Sequence, residues 1–418
     1  MEIVELLMGF GANPSLQNDL GHDVLYYCDT FPEIRSAIWR IQMETKQMNH
    51  EKSSFQSSRG DSKSNNTQNN TKVFTLQRRL STAVLIKYDM YLISLPTMLS
   101  LFGTDVDRKK NMHLCHQDLL KQGLLTRFED LPMGSFVMFV SHQWNGVNHP
   151  DPNGTHLRVL SKVLRNLRDG IYDVNTDPLH VLLHGSDTTI SSSEWKVLLS
   201  NAYMWFDWFS QPQPSMESST ILKCQLQKNL DLAIESVASY VERADTLLVL
   251  APSARHKDHI DALTKRNMFT CYRTWRRRGL CVLEFFCSFL SRRKMHLTMV
   301  IRSPITAPTF ISSLESLKLS VGDSEFTCCK TNHLGPDGNT MRCSRRIAFD
   351  TLNTMITAKK NYLFEVNAVV HARWITVTRQ YLGTISLFDS HSLAYLLTHP
   401  NQFAGLCKER QSSTTLRV

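Results

Sequence analysis

"SFVMFVSHQWNGVNHPDPNG", residues 135–154, decides how the chain is read. Phe136 to Val140 form an apolar run of strand length with no polar alternation, the mark of a strand buried on both faces. The run stops at Ser141-His142-Gln143-Trp144, and a loop rich in Pro, Asn and Gly follows. Three more apolar runs repeat the pattern: "AYMWF" at 202–206, "TLLVL" at 246–250 and "MHLTMVI" at 295–301. Helices are expected between them, near 154–168, 225–243 and 279–291. Such strands, separated by amphipathic helices, predict an α/β domain with a parallel sheet covered on both faces.

Ligands of an open parallel sheet bind outside the carboxyl ends of its strands, where loops and helix N-termini converge. The residues just beyond each run therefore carry the functional expectation. Ser141, His142, Gln143 and Trp144 follow the first, with His149, Pro150, Asp151 and Pro152 further on. Asp207, Trp208, Ser210, Gln211 and Gln213 follow the second, and Ala251, Pro252 and Ser253 the third. A cleft lined this way could stack a planar ring on tryptophan and hydrogen-bond ribose or phosphate groups. The next helix, "CYRTWRRRGLCVLEFFCSFL" (271–290), holds one carboxylate, Glu284, among Leu280, Val282, Leu283, Phe285 and Phe286. Desolvation there disfavours the charged form, which makes Glu284 a candidate catalytic acid or electrostatic stabiliser. The alternative is a glutamate on a solvated stripe, paired with Arg277 or Arg278.

"VMFVSHQW", "WFDWFSQPQ", "LDLAIESVASYVERADTLLVLAP" and "WRRRGLCVLEF" occur in the order seen in TIR-like domains, and residues 130–310 resemble that family. The second and third segments are equally similar to the heterokaryon-incompatibility (HET) domains. The resemblance implies a flavodoxin-like sheet. For NAD-cleaving members it implies an essential glutamate at the position of Glu284, with NAD as substrate. Ser141, His142, Trp144, Asp207, Trp208 and Arg277 are then the expected substrate contacts, the arginine meeting the pyrophosphate. The tryptophan that the family places just before the cysteine is Leu280 here, with Trp275 close upstream. That departure favours a second reading, a non-catalytic module that self-associates or recruits protein partners.

Outside this region the chain changes character. "EIVELLMGFGANPSLQNDLGHDVL" resembles the end of one ankyrin repeat and the start of another, within an ankyrin-like segment at 1–45. In residues 51–72, fourteen of twenty-two are Ser, Thr, Asn or Gln. That composition predicts a disordered linker over 46–72. Residues 73–129 read as a lead-in whose first part fits strand or helix equally. Residues 311–405 read as a partly helical C-terminal extension, and 406–418 as a tail.

The net charge of +9 comes from basic residues that are scattered apart from Arg273, Arg276, Arg277 and Arg278, so no specific nucleic acid is expected. No apolar run is long enough to span a bilayer. The ten cysteines are expected to be reduced, in a cytoplasmic setting, because no basic n-region or apolar h-region follows Met1. Cys328, Cys329, His333 and Cys343 lie within sixteen residues, as zinc ligands could. With adjacent cysteines and no Cys-x-x-Cys pair, the expectation is instead reduced thiols packed round a turn, with no metal. His142, His149, Asp151 and Asp207 would hold a cation only if they converge. A Ser141-His142 hydrolase is disfavoured, since neighbours on a strand point apart and no glycine elbow frames the serine.

Overall fold

Each of the four apolar runs supplies a strand. The computed structural model describes residues 82–175, 189–260, 267–292, 297–311, 319–330, 332–333 and 342–366, with the single positions 368, 369, 372 and 375. The ankyrin-like segment, the linker and the tail lie outside the described residues.

In chain order, β1 (Tyr91–Ser94) leads into α1 (Leu95–Phe102), α2 (Asp105–Asn111), α3 (His116–Lys121) and β2 (Leu125–Arg127). β3 (Phe136–His142) is followed by α4 (Thr155–Arg168), α5 (Ser192–Leu199) and β4 (Ala202–Phe206). Then come the short α6 (Asp207–Ser210), the long α7 (Thr220–Arg243) and β5 (Thr246–Leu250). β6 (Ala254–Ile260) and β7 (Asn267–Thr270) form a separate antiparallel pair, followed by α8 (Tyr272–Trp275), α9 (Gly279–Phe289) and β8 (Leu297–Ile301). β9 (Thr309–Phe310), α10 (Thr327–Lys330) and α11 (Ser344–Glu365) complete the described elements.

The main sheet has seven strands in the order β2-β1-β4-β3-β5-β8-β9. The central four are mutually parallel, while β1 runs antiparallel to β4 and β9 antiparallel to β8. Side chains of β3 alternate between two cores. Val137 and Phe139 join the core under α7, α9 and α11; Phe136, Met138 and Val140 join the one under α1, α4 and α5. This is why the run is apolar without a break. The link from β3 to β4 crosses the α4 face, whereas those from β4 to β5 and from β5 to β8 cross the α7/α9 face. The first link moves one way across the sheet and the other two move back, so a uniform crossover hand requires opposite faces. The connections part at the β3/β5 boundary, where a crevice forms at the carboxyl edge.

Two boundaries differ from the sequence reading. α7 begins at Thr220, not near 225, and its first ten residues are almost wholly exposed. β3 runs on through Ser141 and His142, because its ladder with β5 continues to the pair His142–Leu250. The lead-in supplies β1 and β2 to the main sheet, and α11 packs on α9, so both belong to the same folded body as the central strands. No helix among the described residues is long and apolar enough to cross a membrane.

Candidate functional site at the carboxyl edge of β3

Extension of β3 buries the two residues that seemed to open the loop. Ser141 and His142 are the last residues of the strand, and the pleat sends them to opposite faces. Ser141 faces α9. Its Oγ accepts a hydrogen bond from Trp275 Nε1 at 3.0 Å and lies against Glu284. His142 stacks on Phe206 at 4.4 Å between ring centroids, and its Nε2 is 2.8 Å from Asp207 Oδ1.

Asp207 is the node of the opposite side. Its Oδ2 accepts from Trp144 Nε1 at 2.5 Å, and its Oδ1 accepts from the Trp208 backbone N–H at 2.7 Å. Burial alone would raise the Asp207 pKa, but His142 and the two tryptophan donors hold it below the usual carboxylate value. Burial would likewise lower the His142 pKa, and the Asp207 charge reverses this, leaving it raised. Behind it His156, with Nδ1 3.3 Å from His142 Nδ1, is pushed well below the usual histidine value by burial and then by His142. His156 Nε2 contacts the Asn145 amide at 3.0 Å, and the Thr270 hydroxyl donates to Asn145 Oδ1 at 2.6 Å. A buried polar chain thus runs from Asp207 to the β6/β7 pair.

The Pro-Asn-Gly loop launches α4. Asp151 Oδ2 caps the helix by accepting the Leu157 N–H at 2.9 Å, and Gly154 turns the chain at φ 65°, where a Cβ is strained. His149 is committed as well. Its Nδ1 accepts the Asp151 N–H and its Nε2 lies 3.0 Å from the Met112 carbonyl. His142, His149, Asp151 and Asp207 therefore do not converge on a cation; the one convergent group of potential ligands among the described residues is Cys328, Cys329, His333 and Cys343.

Glu284 completes the site from α9. No ion pair joins it to Arg277 or Arg278 among the described residues. Its Oε2 is solvent-inaccessible and has no hydrogen-bond partner. Burial raises its pKa to about 8, with the Ser141 hydrogen bond and His142 opposing and the Asp207 charge assisting. One turn earlier on the same face, the Cys281 thiol is raised well above its usual value by burial and the Glu284 charge, which makes it inert. Further acceptors are left unpartnered around the rim: Gln143 Oε1, Asp151 Oδ1 and Gln211 Oε1.

The structure thus brings Ser141, His142, Trp144, Asp207 and Glu284 together. Trp208 stands apart: it is buried and its Nε1 donates to the Leu114 carbonyl, so it offers no face to a ligand. Arg277 is exposed and Leu280 is 39% exposed. Trp275, five residues before the position where the family motif places its tryptophan, is fully buried and reaches the site through Ser141. Two residues were missed. Tyr272 stacks on Trp275 at 5.7 Å, and the Arg302 guanidinium lies 4.7 Å from the Tyr272 ring centroid, with Arg276 at 6.0 Å. Arg302 directly follows β8, so the strand-end rule applied to the fourth strand would have found it.

The chain matches no family model, no curated protein and no solved structure, so the chemistry of the site rests on its geometry and on the motifs it brings together.

Proposed function

We propose that this cleft cleaves the nicotinamide–ribose bond of NAD, with Glu284 as the carboxylate that stabilises positive charge developing on the ribose. The observation that carries the reading is the environment of Glu284: a half-buried residue whose Oε2 is shut off from solvent and unpartnered, beside Ser141, at the crevice of a parallel sheet. The parallel strands β4, β3, β5 and β8 take the first four places of the flavodoxin-like order, which supports the TIR-like resemblance. The next place is held by the antiparallel β9, a departure from that order.

In the reaction, the bond from ribose C1′ to the pyridinium nitrogen breaks with both electrons going to nitrogen. Nicotinamide leaves neutral and needs no proton. C1′ becomes oxocarbenium-like, and ionised Glu284 is placed to stabilise it. Water then adds to C1′, and its proton passes to Glu284. Trp144, its indole fixed by Asp207, is half-buried and presents a surface for stacking. Arg302 and Arg276 flank Tyr272 where a pyrophosphate would be met by charge-assisted hydrogen bonds.

Release of nicotinamide by the purified protein, alone and under clustering conditions, tests the reading. Glu284→Gln keeps volume and hydrogen bonding but removes the charge, and should lower the rate by roughly two to four orders of magnitude. Equal rates in the two proteins, or no release in any oligomeric state, would leave the assembly-module reading. One observation favours that second reading: Ile221 and Leu222, at the start of α7, are 82% and 54% exposed.

A further inference from the structure

The segment after α9 gathers three thiols and an imidazole at one point. α10 carries Cys328 and Cys329, Asn332 and His333 follow, and Cys343 immediately precedes α11. Cys329 Sγ lies 3.8 Å from Cys328 Sγ, 3.9 Å from Cys343 Sγ and 3.7 Å from His333 Nε2. One ligand atom from each of the four residues falls within 4.8 Å of all the others. A tetrahedral zinc ion with sulfur at about 2.3 Å and nitrogen at about 2.0 Å has edges of about 3.8 Å between sulfurs and about 3.5 Å from sulfur to nitrogen. The three separations from Cys329 lie close to those edges, and the other three stay within 4.8 Å. They are also far too long for a disulfide bond, whose sulfurs lie about 2 Å apart. α10 accommodates the adjacent cysteines: its helical turn splays the two side chains to about one tetrahedral edge.

Two backbone features support a built site. Asn332 and His333 adopt φ of 50° and 60° in succession, although non-glycine residues enter the left-handed region mostly one at a time. That turn, closed by a hydrogen bond from the His333 N–H to the Cys328 carbonyl at 2.6 Å, carries the imidazole back over α10. In addition, the Ser344 N–H donates to Cys328 Sγ at 3.3 Å. This places the Cys328 sulfur at the positive end of the 22-residue α11, and an N–H to sulfur contact of this kind would support a metal-bound thiolate.

We propose that Cys328, Cys329, His333 and Cys343 bind one zinc ion in a closed tetrahedral site. Three sulfurs and one nitrogen form a soft donor set that suits zinc and not magnesium or calcium. Four protein ligands leave no open position, so the ion is structural. Binding displaces the thiol protons to solvent and changes no oxidation state. The site ties three pieces together. Just before it, Glu325 and Phe326 run beside Arg277–Gly279 at the start of α9, with the Glu325 N–H donating to the Arg277 carbonyl at 2.7 Å and the Gly279 N–H to the Glu325 carbonyl at 3.0 Å. Just after it, α11 packs on α9. A metal there fixes the platform that aims Glu284.

The experiment measures zinc by mass spectrometry in the full chain purified under reducing conditions from zinc-containing medium. Close to one zinc per chain is expected, falling to background in Cys329→Ser, His333→Ala and Cys343→Ser, and unchanged in Cys224→Ser, an exposed thiol on α7. If the ligand variants fail to fold, the wild-type chain still decides. Zinc should protect Cys328, Cys329 and Cys343 from alkylation, a chelator should expose them and lower the melting temperature, and added zinc should restore both. Cobalt in place of zinc should give tetrahedral ligand-field bands with thiolate charge transfer. Zinc-free protein that melts identically with and without added zinc, or zinc retained in both Cys329→Ser and Cys343→Ser, would overturn the proposal, as would a native disulfide between Cys329 and Cys343.

Discussion

Glu284 shows how burial of a single carboxyl couples stability to pH. Its folded-state pKa of about 8 lies above the ordinary 4.5, so the folded protein holds this proton more tightly than the unfolded chain does. The resulting contribution to stability is fully present below about 4.5 and is lost as pH rises to about 8. Glutamine cannot ionise and removes that loss. Glu284→Gln should therefore melt with the wild type near pH 5 and above it beyond pH 8, each kcal/mol appearing as roughly 2–4 °C for a domain of this size. On the proposed function the same titration sets the rate. Under the proposed function the carboxylate is the active form, so kcat/KM should climb as pH rises through about 8. The pyridinium cation of NAD, the proposed substrate, would favour ionised Glu284, so the limb in kcat should fall at lower pH than the limb in kcat/KM. Initial rates of nicotinamide release from pH 5 to 9 would check both. Coincident limbs would mean that the cation does not sit near this carboxylate. His142 and Asp207 work in the opposite sense: each keeps the other charged, and together they hold Trp144 in place.

Elements position these residues, and α9 is aimed by one close approach. A Cβ on Gly279 would stand 2.1–2.4 Å from three ring atoms of Phe326, which is buried in the core under α9. Gly279→Ala should therefore displace the start of α9 and destabilise the protein by about 1–3 kcal/mol, with Glu284 moved from Ser141. Phe326→Leu removes the ring from the Cβ path and costs stability by itself, but in the double variant the two losses should fall short of additive. Denaturant unfolding of the four proteins gives the coupling, and full additivity would show that the contact does not aim the helix. Periodicity revealed β3, β4, β5 and β8 because strands buried on both faces need apolar residues throughout. It stopped β3 two residues early, since Ser141 and His142 satisfy their polarity inside the fold through Trp275 and Asp207. It missed β6 and β7 because "ARHKDHI" is mostly polar and lies outside the main sheet. The polar rim was legible from strand ends. The roles within it were not, because a sequence cannot tell that Asp207 spends its oxygens on Trp144 and His142, or that Trp208 turns into the core.

At the scale of the whole molecule, the central strands depend on segments far away in sequence. Residues 82–88 lie along α7, held by side chains of that helix. The Ala83 N–H donates to Glu242 Oε2 at 2.6 Å and the Lys87 N–H to Ser236 Oγ at 2.8 Å, while Ser239 Oγ and the Tyr240 hydroxyl each donate at 2.6 Å to the carbonyls of Val84 and Tyr88. β1 covers the open edge of β4, and α1 buries Leu95, Met98 and Phe102 in the α4-side core. On the other face α11 buries Ala348, Leu352, Met355 and Ile356 against the α9-side core. A chain cut to residues 130–310, the limits suggested by the TIR-like resemblance, loses all of this. Each large apolar side chain fully buried stabilises by about 1.5–3 kcal/mol, and six of the seven just named are large, so their loss alone approaches or exceeds the roughly 5–15 kcal/mol that separates folded from unfolded domains. It also uncovers the edge of β4, a template for pairing with other chains. Residues 130–310 alone should therefore aggregate or show no cooperative melting transition. Residues 82–375, which keep both cores and all four ligands of the proposed zinc site, should melt cooperatively. Expression of the two pieces side by side, followed by gel filtration and thermal unfolding, separates these outcomes. A cooperative, monomeric 130–310 would mean that β1 and α11 are accessories, and the stability of the Glu284 cleft would then have to come from the central strands and α4, α7 and α9 alone.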